Sequence, residues 1–89
     1  MTDGKFIELA KQNVAEYTNA HFGKLSGQKI AEKDVYIVWY CKTLQNWKAL
    51  AATHLPDGMY FEITLNGDRN ELYVDAYGKL EKKVVPVES

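Results

Sequence analysis

Four residues of this 89-residue chain have the types that a cysteine nucleophile site requires. They are Cys41, His54, Asp57 and Asp75. Covalent catalysis by cysteine needs a thiolate, a neighbouring base and a group that orients the base. The stretch DVYIVWYC at 34–41 alternates as a strand does, which puts Cys41 on the same face as Val35 and Ile37. Because a buried cysteine usually behaves as a small hydrophobic residue, we expect Cys41 to be buried and unreactive.

Metal coordination and acid–base catalysis are also poorly supported by the residue pattern. His21, Cys41 and His54 lack the spacing of metal ligands, and the six glycines form no phosphate-binding motif. Glu62 and Asp75 would lie near each other on one sheet face, where paired carboxylates can transfer protons. No pocket is predicted around them, so two solvated charges are the favoured interpretation. We expect no enzyme, no metal and no cofactor.

The composition is that of one globular domain spanning 1–89. The chain is 46% hydrophobic and 26% charged, which is ordinary for a globular domain. Its single cysteine cannot form an intramolecular disulfide, so the core alone must hold the fold. The net charge of -1 does not indicate the basic surface that nucleic-acid-binding proteins have. The N-terminal stretch lacks the apolar run of a signal peptide, and no run approaches a membrane span of about 18 residues. These features predict a cytoplasmic protein without membrane contact.

The N-terminal segment has the period of a helix. Apolar residues recur at spacings of three and four, at Phe6, Ile7, Ala10, Val14, Tyr17 and His21. This spacing predicts a helix over about 4–22. Thr2 or Asp3 can cap its start, and Gly23 can end it. A polar connector follows, which Leu25 and Ile30 would anchor to the core.

Three later segments are rich in β-branched and aromatic residues. They are 35–42, 59–65 and 71–77. This composition predicts strands. Asn66 and Gly67 tolerate the positive φ of hairpin turns, and the Pro-Asp-Gly at 56–58 indicates another turn. The expected fold class is α+β, with the N-terminal helix packed on an antiparallel β-meander of three to five strands over about 34–77.

Two segments leave alternatives open. Leu and Ala in 43–55 favour a helix, but a turn near 44–46 followed by a strand also fits and is preferred. In the tail, 78–89, Val84 and Val85 either add an edge strand or the tail folds over the sheet. Pro86 suits only an edge or an end.

Alternation divides the predicted strands into two faces. The expected core face, covered by the helix, holds Val35, Ile37, Trp39, Cys41, Met59, Phe61, Ile63, Leu65, Leu72, Val74 and Ala76. Five of the six tyrosines fall on the opposite face, at Tyr36, Tyr40, Tyr60, Tyr73 and Tyr77. Such rings either stabilise the sheet by cross-strand pairing or form a protein interface, because tyrosine offers a rigid apolar area with a polar tip. We expect these tyrosines to bind a protein partner or a second copy of the chain.

Two stretches resemble known families. DVYIVWYCKTLQNWKAL, DGMYFEITLNGDRNELYVDAY and FIELAKQ resemble a family of small uncharacterised proteins from phages and prophages of Gram-positive bacteria. This resemblance implies a phage-encoded protein of the host cytosol, with a host or phage protein as partner and no known activity. The hairpin YFEITLNGDRNELYVDAYGKL is similar to that of PepSY-type domains in protease propeptides and inhibitors. The residues that match are Tyr60, Gly67, Val74, Asp75, Ala76 and Gly78. PepSY-type domains are usually exported, and this chain shows no export signal.

Single-stranded nucleic-acid binding is a less favoured alternative. Lys79, Lys82 and Lys83 follow aromatic strands, and a basic, aromatic surface is typical of such proteins. The acidic residues nearby are Glu62, Glu71, Asp75 and Glu81. Their charges would repel phosphates, so a protein-interaction or assembly role is the preferred prediction.

Overall fold

One α-helix, one short 3-10 helix and four strands make up the part of the protein that the structure describes. The computed structural model describes residues 1–21, 29–55 and 59–88. The elements are α1 (Asp3–His21), a short 3-10 helix (Glu32–Asp34), β1 (Val35–Thr43), β2 (Asn46–Thr53), β3 (Met59–Asn66) and β4 (Glu71–Gly78). The strands form one antiparallel sheet in the order β1-β2-β3-β4. The α+β prediction is therefore confirmed, and so is the preferred strand within 43–55.

Helix α1 begins where the sequence places a cap. The Thr2 hydroxyl accepts the Lys5 N–H at 3.2 Å, which satisfies one of the free donors of the first turn. The predicted end at Gly23 and the predicted turn at 56–58 lie outside the described residues. In the last turn of the helix, the Asn19 side chain both donates to and accepts from the Ile30 backbone at 2.8 Å. Ile30 also packs against the core, so it anchors the connector as expected, whereas Leu25 lies outside the described residues.

The core lies between α1 and the middle of the sheet. Its buried apolar residues are Phe6, Ala10, Val14, Ala15, Val35, Trp47, Ala49, Ala51, Phe61, Ile63 and Leu65. Ala49 and Ala51 have no exposed surface, and their small side chains let the helix approach β2 closely. The Phe6 ring lies 5.5 Å from the Trp47 ring, so the helix and the sheet are joined by aromatic contact.

The two hairpin turns at one end of the sheet pack together. A Cβ on Gly67 would lie 2.0 Å from the Gln45 carbonyl oxygen. The Gly67 N–H donates to the Asn46 side chain at 3.0 Å, and the Gln45 amide donates to Asp68. The positive φ of the second turn falls on Asn70, at 53°. Gly67 is thus required because there is no room for a side chain, whereas the Asn-Gly pattern predicts a conformational role for it.

Strand β1 contains a β-bulge that corrects the predicted faces. Ile37 lies opposite Ala51, and Trp39 lies opposite Leu50, so Val38 is an extra residue without its own partner. A bulge puts two residues of one strand against one of the other. Beyond Val38 the side chains therefore point to the opposite faces from those that regular alternation predicts.

Two predictions fail because of this bulge. Trp39 was expected in the core but is 46% exposed, and Cys41 was expected to be buried but is exposed. Both lie on the side of the sheet away from α1. In exchange, Tyr40 lies opposite the fully buried Ala49, on the side of the helix.

The tail takes neither of the two predicted forms. Residues 79–88 contain no helix or strand. Val84 and Val85 are exposed by 74% and 61%, so they neither extend the sheet nor pack over it. Within the described ranges, α1 is the only α-helix, and it is not apolar enough over its length to cross a membrane.

Candidate functional site

The side of the sheet that faces away from α1 is covered by no described helix or strand. We call it the outer face. It consists of Tyr36, Trp39, Cys41, Lys48, Leu50, Ala52, Tyr60, Glu62, Thr64, Tyr73, Asp75 and Tyr77.

Strand pairing arranges the outer face in three rows across the sheet. The first row is Tyr36, Ala52, Tyr60 and Tyr77. The second row is Trp39, Leu50, Glu62 and Asp75. The third row is Cys41, Lys48, Thr64 and Tyr73. Directly opposite residues have Cβ atoms about 5 Å apart, so each row is a line of neighbouring side chains.

The aromatic rings of the outer face are half open to solvent. Their exposed fractions range from 38% for Tyr73 to 46% for Trp39. Tyr60 and Tyr77 stack with ring centroids 5.3 Å apart, and Tyr36 lies 5.1 Å from the His54 ring. Neighbouring rings therefore support Tyr36, Tyr60 and Tyr77, while all five rings keep more than a third of their surface exposed. Five such rings form a patch that scattered surface residues do not explain.

Charged groups lie in the middle of this aromatic surface. Lys48 forms an ion pair with Glu62. The hydrogen bond to Glu62, together with the charge of that carboxylate, raises the pKa of Lys48 above its ordinary value. Asp75 lies directly opposite Glu62, and like charges in that position repel each other. The middle of the outer face therefore has two carboxylates and one lysine.

A second carboxylate interaction orders the end of β4. The Tyr73 hydroxyl donates a hydrogen bond to Glu71 at 2.9 Å. This bond is lost when Tyr73 ionises, so it raises the pKa of Tyr73 above its ordinary value. Tyr73 is thus a neutral donor and an apolar ring at any physiological pH.

Four of the five tyrosines predicted as a binding face lie on the outer face. They are Tyr36, Tyr60, Tyr73 and Tyr77. Tyr40 does not, because of the bulge, and Trp39 occupies the outer face in its place. Lys42, two residues on, also lies on the helix side, with its ammonium 5.0 Å from the centroid of the Trp47 ring. No residue pattern in β1 marks the bulge, so sequence reasoning missed Trp39 as a surface residue.

The residues considered for nucleophilic catalysis are not brought together. Cys41 lies opposite Lys48, whereas His54 follows the last residue of β2. At ~3.3 Å per strand residue, these positions are roughly 20 Å apart. Asp57 lies outside the described residues. In the part of the chain that the structure describes, no three His, Cys, Asp or Glu side chains are grouped as metal ligands.

Comparison with known proteins places most of the chain in one family model. The model described as "Family of unknown function (DUF6275)" matches residues 7–87. No curated protein and no solved structure matches the chain.

Proposed function

We propose that this chain, which belongs to the family of unknown function DUF6275, is a protein-interaction or assembly module that binds a partner protein on its outer face. The observation that carries the proposal is the set of five aromatic rings on one uncovered side of the sheet, each between 38% and 46% exposed. Tyrosine and tryptophan are enriched at protein interfaces because they bury a large rigid area while keeping a polar tip hydrated.

The outer face is broad enough to form most of one side of a protein interface. Eight-residue strands that rise ~3.3 Å per residue and lie ~4.8 Å apart make a four-stranded face with a flat area of roughly 500 Å². The side chains that project from it raise its accessible surface above this value, toward the about 800 Å² that each partner buries in a standard stable interface.

The charges of the outer face favour a protein over a nucleic acid. Glu62 and Asp75 lie side by side in the middle row, and the only lysine of the rows, Lys48, is already paired with Glu62. Carboxylates in this position repel phosphates, whereas an arginine or lysine of a protein partner can pair with Asp75 and lie over the neighbouring rings. We also propose binding without catalysis, since Cys41 and His54 lie at opposite ends of the sheet.

The resemblance to small phage proteins suggests where the partner is found. On that basis we propose that the protein acts in the cytosol of a Gram-positive host and that its partner is a phage or host protein. The similarity of the hairpin to PepSY-type domains adds no further residue to this proposal.

The test compares tyrosines that lie on opposite sides of the sheet. Tyr60 and Tyr40 are exposed by 41% and 42%, so they are matched in residue type and accessibility. The chain is used to capture proteins from the lysate of a phage-infected host, the captured protein is identified and purified, and its dissociation constant is measured. We expect Tyr60→Ser combined with Tyr73→Ser to weaken binding at least tenfold, and Tyr40→Ser to leave it unchanged.

Thermal melts of all variants show whether each one is folded. Equal affinity in a folded Tyr60→Ser, Tyr73→Ser double variant would overturn the proposal. So would an equal loss of affinity in the Tyr40→Ser control, because Tyr40 lies outside the outer face.

A further inference from the structure

We propose that β4 pairs with β4 of a second copy, antiparallel, about a two-fold axis that passes between the two Val74 residues. The two four-stranded sheets then form one sheet of eight strands, with both helices on the same side. This self-association goes beyond the binding of a partner on the outer face, because it uses the edge of the sheet.

The two edges of the sheet differ in how well they are protected. An edge strand presents unpaired backbone N–H and C=O groups, and proteins block such edges with bulges, prolines and lysines. Strand β1 has the bulge at Val38. Strand β4 pairs with β3 over Met59–Asn66 without a register shift, and its sequence ELYVDAYG contains neither proline nor lysine. Of the two edges, only β4 is regular along its whole length.

The helix side of β4 has an apolar row that is only partly covered. Leu72, Val74 and Ala76 are half-buried and contact the core. Helix α1 packs mainly across β1, β2 and β3, so this row lies at the margin of the covered area. A second copy of the same row would complete its burial, because antiparallel pairing places the two rows side by side on one face.

The side chains of β4 are self-complementary in one register. In the register centred on Val74, Val74 lies opposite Val74 of the second copy, and Leu72 lies opposite Ala76 of the second copy. On the outer face, Tyr73 then lies opposite Asp75 of the second copy. Every apolar residue of the helix side meets an apolar residue, and no two carboxylates are opposed.

The neighbouring registers are worse. In the register centred on Asp75, the Asp75 carboxylates of the two copies lie opposite each other. In the register centred on Tyr73, Glu71 of one copy lies opposite Asp75 of the other. Directly opposed like charges destabilise a strand pair. An axis nearer either end of β4 leaves Leu72 or Ala76 without an apolar partner. The charge pattern therefore favours pairing with a second copy in the register that places Val74 opposite Val74.

The pairing also enlarges the outer face. Two outer faces joined at β4 make a continuous surface with a flat area of roughly 1,000 Å². The dimer would thus present a binding surface twice as large as that of one copy.

The first experiment measures the mass in solution of the full chain over a range of concentrations, by light scattering and sedimentation equilibrium. We expect twice the monomer mass, falling to the monomer mass in Val74→Lys, since the two lysines would lie opposite each other and like charges in that position oppose pairing. The control is Val38→Lys, at the exposed bulge of the other edge, which should stay dimeric. A monomer at every concentration, or a folded Val74→Lys variant as dimeric as the original chain, would overturn the proposal.

The second experiment tests the register and does not depend on how well Val74→Lys folds. In a Cys41→Ser background, Val74→Cys places a thiol on the two-fold axis, so mild oxidation should give a disulfide-linked dimer. Leu72→Cys in the same background should not cross-link to itself, because it faces Ala76. Cross-linking through Leu72→Cys and none through Val74→Cys would overturn the register. Because neither experiment uses the partner, their outcome is separate from the test of the outer face.

Discussion

At the scale of single residues, one unpaired residue decides which side chains reach solvent. Trp39 and Cys41 lie on the outer face, and Tyr40 and Lys42 on the helix side, because Val38 has no partner in β2. The side chain of Lys42 tolerates its position by lying along the Trp47 ring and keeping its ammonium near solvent. Compared with regular alternation, Trp39 and Tyr40 exchange faces. The outer face therefore still has five aromatic rings.

Cys41 provides a direct test of the bulge. Because its side chain is exposed, we expect a thiol reagent to label it stoichiometrically in the native protein, without prior unfolding. The release of the reagent's chromophore is followed with and without denaturant, and Cys41→Ser gives the background. Labelling that occurs only in denaturant would mean that β1 is regular and that Cys41 is in the core.

At the scale of elements, the two hairpins are joined by their turns. The β1–β2 turn contains Leu44 with a φ of 58°, and the next residue, Gln45, contacts Gly67 of the β3–β4 turn. In the latter turn the Asn66 side chain accepts the N–H groups of Asp68 and Arg69 at 3.0 and 3.3 Å. These bonds hold the second turn in the shape that meets the first one.

A pair of glycine substitutions tests this contact. Gly67→Ala would force a methyl group into the Gln45 carbonyl, so we expect a loss of about 1–3 kcal/mol in the free energy of unfolding, as in other overpacked sites. Gly4→Ala is the control: the added methyl would meet no atom within 4 Å beyond its chain neighbours and the backbone of its own helix, and alanine is the better helix former by up to ~1 kcal/mol. Chemical denaturation measures both. Equal stability of Gly67→Ala and the original chain would contradict the close approach of the turns.

At the scale of the whole molecule, a single helix covers one side of a four-stranded sheet. Among the described residues, the buried core comes from α1, β1, β2 and β3, and no described helix or strand covers the opposite side. Apolar side chains remain accessible on the outer face, at the margin of β4 and in the tail. The first two are regular and are the basis of the two proposals above. The tail contributes exposed residues such as Leu80, at 99%, but no regular element.

Removal of the tail tests whether these residues contribute to the stability of the fold. A chain that ends after Gly78 loses only residues that are exposed where the structure describes them. Exposed positions usually change stability by less than ~0.5 kcal/mol, and 1 kcal/mol shifts the melting temperature by ~4–8 °C in a domain of this size. We therefore expect the melting temperature to change by less than about 4 °C. A larger drop in a calorimetric or circular-dichroism melt would show that the tail packs on the sheet in solution.

Most of the elements and most of their faces follow from local sequence patterns alone. The helical period of α1 and the alternation of β3 and β4 are local properties, so they predicted the helix, the hairpin and the outward tyrosines at Tyr60, Tyr73 and Tyr77. Only the tertiary structure decided the faces of Trp39, Tyr40 and Cys41. A bulge depends on how β1 pairs with β2, and period-two counting along one strand contains no information about its neighbour. The role of Gly67 was likewise set by a distant residue, Gln45, which the chain brings near only when both hairpins have formed.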